Sequence, residues 1–97
     1  MVAQYVVLIN FTDQGVKNLK TLQGRTQAEA AVAGAGGRII WQGLTFGQYD
    51  VVVVVELPGD EQALALALAQ AMQGEARTQI LKAFPPDVVD PIMARLP

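Results

Sequence analysis

Asp50 and Arg77 are the two side chains whose sequence neighbours suggest chemistry. Asp50 follows Tyr49 and opens directly onto five valines, Val51 to Val55. A carboxylate set beside buried valines loses water, which raises its pKa unless a donor compensates, and such a group can act as a general base. A plainer reading competes and is the stronger of the two. In it Asp50 accepts hydrogen bonds from a hairpin turn, and Tyr49 packs with its hydroxyl at the rim. Arg77, paired with Asp13 or Glu56, could hold an anionic ligand through its remaining donors. An ordinary ion pair at a strand-to-helix corner, worth under ~1 kcal/mol, is again the plainer and favoured reading. Asn10 and Thr12 suit a turn and a cap better than ligand contacts. The candidate ligand-binding set is therefore Asn10, Thr12, Tyr49, Asp50 and Arg77.

Composition narrows the chemistry further. The chain has no histidine and no cysteine, which removes thiolate nucleophiles, disulfides and imidazole-based acid–base or metal schemes. Asp13, Asp50 and Glu56 do not share a metal-ligand spacing on one element, and neither metal nor cofactor is expected. Gly34 to Gly37 neither follows a strand nor opens a helix, so it is no phosphate loop. The seven basic residues are scattered and the net charge is −2, which argues against nucleic acid as a partner. The N-terminus lacks the basic region of a signal peptide, and no apolar stretch approaches the ~20 residues of a membrane span. The expectation is a cytoplasmic protein with no membrane partner.

The elements that must position these residues follow from periodicity. Hydrophobic content of 52% and 16% charge over 97 residues suit one folded domain. Gln4–Asn10 reads as a strand with Tyr5, Val7 and Ile9 on one face and Val6 and Leu8 on the other. A helix capped by Thr12 or Asp13 carries Val16, Leu19 and Leu22, yields at Gly24, resumes over Ala28–Ala33 and ends at Gly34–Gly37. Arg38–Leu44 is the second strand, with Gly43 at a bulge and Trp41 as a core or interface anchor. Thr45–Gln48 is a hairpin connection in which Gly47 takes positive φ. Tyr49–Glu56 is the third strand, with Asp50, Val52, Val54 and Glu56 on one face and Tyr49, Val51, Val53 and Val55 on the other. Asp60 caps a helix over Glu61–Gln73 whose one face carries Leu64, Leu68, Ala71 and Met72, with Leu66 off it. Ala76–Phe84 is the fourth strand, stopped by Pro85-Pro86. A short tail helix, capped by Asp87 and limited by Pro91, fits Asp87–Leu96.

The order β-α-β-β-α-β, with short right-handed connections, gives an α+β ferredoxin-like antiparallel sheet of order 4-1-3-2 with two helices on one face. Its central strands are the two that are apolar on both faces. A strand with one wet face alternates apolar and polar, so the valine run calls for cover on both sides. The chain's own helices supply one side, and a second copy is expected to supply the other. With strands one and three taken as parallel, Asn10, Thr12, Asp13, Glu56, Arg77 and Thr78 gather at one edge. The Gly47–Asp50 turn then lies at the opposite edge, near Gln4, Tyr5 and Phe84.

Gly47, Tyr49 and Asp50, with Gln48 inserted, resemble the name motif of the GYD family of small bacterial proteins. Asn10-Phe11-Thr12-Asp13-Gln14-Gly15 and Arg77–Phe84 resemble that family too, and the likeness runs over about residues 4 to 95. It implies a ferredoxin-like fold of the dimeric α/β-barrel type and no particular activity. Two functions follow as expectations. The first is a non-enzymatic binding or assembly module that pairs with itself through the sheet, as a homodimer or larger ring, and holds a small molecule. The alternative is a cofactor-independent enzyme, monooxygenase- or isomerase-like, acting on a small organic molecule through Asn10, Trp41, Tyr49, Asp50 and Arg77. A regulatory ligand sensor cannot be separated from the first by sequence.

Overall fold

The structure is a computed structural model that describes residues 2–17, 23–74 and 76–97. The elements run β1 (Ala3–Phe11), α1 (Asp13–Lys17), α2 (Gln23–Gly34), β2 (Arg38–Leu44), β3 (Val51–Leu57), α3 (Asp60–Gln73), β4 (Ala76–Ala83) and α4 (Pro86–Ala94). The four strands form one sheet of order β2-β3-β1-β4, the order expected. All three strand pairs are antiparallel, which makes the arrangement ferredoxin-like. The expectation that strands one and three run parallel is therefore wrong. A βαβ crossover makes β1 and β2 co-directional, and the β2–β3 hairpin then reverses the chain, so β3 must oppose β1.

The register explains which side chains share a face. Tyr5 pairs with Val55, Val7 with Val53 and Ile9 with Val51, while Val7 also pairs with Ile80. These residues face the helices. Tyr5, Ile9, Val32, Val53, Val55, Leu57 and Ala63 form the buried core, with Leu57 and Val55 each at 1% exposure. Val6, Leu8, Val52 and Val54 lie on the opposite face and are half-buried. On that open face Trp41 pairs with Val54, and its ring lies over Gly43. The ladder's irregularity falls between Ile39 and Trp41 rather than at Gly43. Gly43 instead leaves room for the indole: a Cβ there would lie 2.7 Å from the ring.

Local chemistry sets the ends of the helices. Thr12 caps α1: its Oγ1 accepts the Gly15 N–H at 3.2 Å, and its hydroxyl donates to the Gly74 carbonyl at 2.8 Å. Val16, expected on an apolar helix face, is exposed, and Leu19 and Leu22 lie outside the described residues. At the end of α2 the Gly37 N–H reaches the Val32 carbonyl and the Gly36 N–H the Ala33 carbonyl, with Gly36 at φ +84. This paired closure needs a left-handed residue, which glycine adopts without a Cβ clash.

The face of α3 differs from the expected one. Ala63 is buried and Leu66 packs against the core, whereas Leu64, Leu68 and Met72 are exposed. Alanine and leucine alternate here, so a helical reading of the leucines alone picks the wrong stripe. The sheet lies close enough to α3 that the small Ala63 is what it buries. Asp60 does not cap α3 either: Gly59 holds the cap position without a side-chain bond. The Asp60 carboxylate instead accepts the buried Tyr5 hydroxyl and pairs with Lys82 Nζ at 3.0 Å, joining α3 to β1 and β4.

That cluster makes stability depend on pH at both extremes. The Tyr5 hydroxyl, and then Lys82, hold the Asp60 carboxyl below its ordinary value of 3.8. Burial, and then the Asp60 carboxylate, push the Tyr5 phenol from 10.0 up to about 12. Asp60 therefore stabilises the fold above its ordinary pKa, and that contribution disappears as pH falls through the lowered value. Tyr5 contributes fully below pH 10 and loses that contribution as pH rises towards 12. Urea midpoints measured against pH should fall between 10 and 12 in the wild type. In Tyr5→Phe the fall attributable to this group should be absent; an unchanged alkaline profile would refute the assignment.

The tail helix α4 starts at Pro86, with Pro85 rather than Asp87 at its cap, and runs through Pro91. None of its residues is buried.

Candidate functional site

Because β3 opposes β1, the Gly47–Asp50 turn lies beside the end of β1 and the start of β4, not at the far edge. Asn10 pairs with Arg77, and Asp50 follows in line with them. One end of the sheet therefore collects four of the five candidates, Asn10, Tyr49, Asp50 and Arg77, with Thr12 a residue beyond β1. Glu56 lies at the other end, where it pairs with Arg38 on the open face. The proposed Arg77–Glu56 pair is thus excluded by strand direction. No ion pair joins Arg77 to Asp13 among the described residues.

Thr45, Gly47, Tyr49 and Asp50 each have a mechanical task in the turn. Gly47 adopts φ +104, which lets the chain reverse after Phe46. The Thr45 hydroxyl donates to the Tyr49 carbonyl at 2.6 Å, and the Thr45 N–H to the Asp50 carbonyl at 2.9 Å. The Asp50 N–H donates to the Ile9 carbonyl at 2.9 Å, and the Asp50 carboxylate accepts the Phe11 N–H through Oδ2, also at 2.9 Å. The side chain thus continues the ladder one step past the last main-chain pair. The donor is the first strand rather than the hairpin turn that sequence suggests.

The Tyr49 hydroxyl donates to Gln79 Oε1 at 2.8 Å. Gln79 pairs with Leu8 on the open face, so Tyr49 does not share the helix-side face with Val51 and Val53. It precedes β3, where strand alternation does not yet apply. The tyrosine reaches past the end of β1 to β4, and turn, first strand and last strand become one tied unit. Asp50→Ala should cost about 1.5–3 kcal/mol, the range for a hydrogen bond to a charged group. Urea denaturation measures it, and a loss below about 0.5 kcal/mol would mean that the carboxylate carries no such load.

Two environments meet at this end. On the helix side an open groove of about 470 Å³ is lined by Phe11, Val16, Leu44, Thr45, Phe46 and Asp50. Leu44 and Val16 are exposed in it, and Phe46 is fully exposed. Leu44 carries no mark of a site residue in the sequence, whereas Phe46, an aromatic side chain inside a polar hairpin loop, is a signal in itself. On the open-face side Asn10, Arg77 and Gln79 form a polar margin to Leu8, Val52 and Leu81. Among the described residues no group of three or more carboxylates could hold a metal ion. No described helix is long and apolar enough to cross a membrane.

A ferredoxin-like α+β sheet closed by a Gly-Gln-Tyr-Asp turn defines the class. The family model for the GYD domain matches residues 5–93. The chain belongs to the GYD domain family, as its three motif stretches suggest. A comparison with curated proteins finds no match.

Proposed function

We propose that the protein is a non-enzymatic assembly and binding module whose open sheet face pairs with the same face of a second copy. The observation that carries this reading is the half-buried apolar row Val6, Leu8, Val52 and Val54 on the face away from the core, flanked by exposed Trp41 and Leu81. Contiguous apolar surface of this kind, rimmed by polar groups, is the mark of an interaction site. A two-fold pairing is self-complementary by construction. The Arg38–Glu56 pair and the Asn10–Arg77 pair stand at opposite ends of the face, where they would form its polar rim.

The groove beside Asp50 is the proposed small-molecule site. Its volume lies within the ~300–1,000 Å³ range of ligand pockets. Phe11, Leu44 and Phe46 offer apolar contact, while the Asp50 carboxylate can accept from a ligand donor. An apolar ring bearing one hydrogen-bond donor matches that lining.

Val54→Lys tests the assembly. Light scattering should give twice the chain mass for the wild type and the single-chain mass for the variant. The variant's urea midpoint as a monomer should change little, since Val54 lies off the core. A wild type that stays monomeric, or a Val54→Lys chain that pairs as tightly as the wild type, would remove the reading.

A further inference from the structure

We infer that α4 is an arm that clasps a second copy of this chain, alongside the sheet pairing proposed above and resting on that reading. The helix presents Val88, Val89, Ile92 and Met93, with Leu96 just beyond, on one side. Asp87 and Asp90 lie on the other. Spacings of three and four residues place such side chains on a common arc. Val88, Ile92, Met93 and Leu96 are all exposed, and among the described residues α4 is not one of the elements whose backbone packs closely along another.

Helix energetics say that this stripe is not meant for water. A nine-residue helix is marginal alone. An interior proline removes a hydrogen bond and crowds the preceding turn, and α4 carries Pro91 with no side-chain cap at Pro85. A helix this weak needs a surface to hold it.

Shape and area name that surface. The chain measures 52 × 30 × 19 Å, with a radius of gyration of 14.8 Å against about 12.5 Å for a compact domain of its length. It exposes 6979 Å², against about 5,400 Å² for a compact monomer of its mass. The excess, about 1,600 Å², is roughly twice the ~800 Å² that each partner buries in a standard interface. That leaves area for a second contact beside the sheet face, and the exposed stripe of α4 is placed to supply one. A lipid surface fits poorly, because interfacial helices carry lysine and arginine on the polar side, and here that side is acidic. Pro85 and Pro86 restrict the backbone where β4 passes into α4, so the helix leaves the strand in a fixed direction.

The test compares Ile92→Asp/Met93→Asp, Asp90→Ala and Val54→Lys with the wild type by sedimentation equilibrium over a dilution series. Circular dichroism checks the fold of each chain. The double variant should weaken self-association about a hundredfold, from the loss of two buried apolar side chains. Asp90→Ala, on the far side of the same helix, should leave the dissociation constant unchanged. An unaltered constant for the double variant would overturn the arm and leave sheet pairing intact. Equal weakening by Asp90→Ala would also overturn it, since that would mean only that the helix must form. Tight association of Val54→Lys together with a weakened double variant would remove the sheet reading instead. A wild type that is monomeric throughout would remove both.

Discussion

Leu57→Ala should destabilise the fold by about 2–5 kcal/mol, the range for truncating a buried leucine. Leu57 is the larger of the two most buried side chains, at 1% exposure, and closes the core where β3 turns into α3. Removing its isobutyl group loses transfer free energy and leaves a cavity that the surrounding strands can only partly fill. Domains of this size have only ~5–15 kcal/mol in total, so the variant should melt tens of degrees lower. Leu64→Ala is the matched control. Leu64 is exposed on α3, and its loss should stay within about 0.5 kcal/mol in the monomer. Equal losses at the two positions would mean that α3 is rotated from the face described above.

Gly37→Ala should also be strongly destabilising, for a different reason. A Cβ at Gly37 would lie 2.1 Å from the Glu56 carbonyl oxygen and 2.7 Å from Leu57 Cδ2. Neither neighbour can yield easily. The first is main chain in the ladder, and the second is the anchor of the core. The variant must part β2 from β3 at the start of their pairing, and overpacking of this kind costs about 1–3 kcal/mol or more. Urea denaturation of Gly37→Ala beside Gly34→Ala measures it, because a Cβ at Gly34 meets nothing within 4 Å. Gly34→Ala should be neutral or slightly stabilising, as alanine is the better helix former. If both variants behave alike, the close approach at Gly37 is not real.

The strands and their order were legible because the signals are local and redundant. The bounds of β2 agree residue for residue with the expected Arg38–Leu44, and β4 differs from its expected range only at Phe84. Strand direction was lost in a single topological step, and with it the layout of the candidate residues. Asn10, Tyr49, Asp50 and Arg77 each stand out singly in the sequence, yet a parallel placing of β1 and β3 divides them between two edges that the hairpin in fact folds onto one. The face of α3 was missed because alternating leucine and alanine give helical periodicity little contrast. Burial there follows the distance to the sheet, which only the assembled fold defines. The partners of Asp50 and Tyr49 are distant in sequence as well, at Phe11 and Gln79. Nothing in the local pattern names them.

Five successive valines carry a hidden ambiguity. Identical side chains give β1 no means of telling one alignment of the ribbon from the next. A slip of one residue would turn the core-facing valines outward and the outer ones in. Asp50 breaks the degeneracy, since its carboxylate can meet the Phe11 N–H in only one setting of the two strands. The aspartate serves as an index mark on an otherwise unmarked ruler.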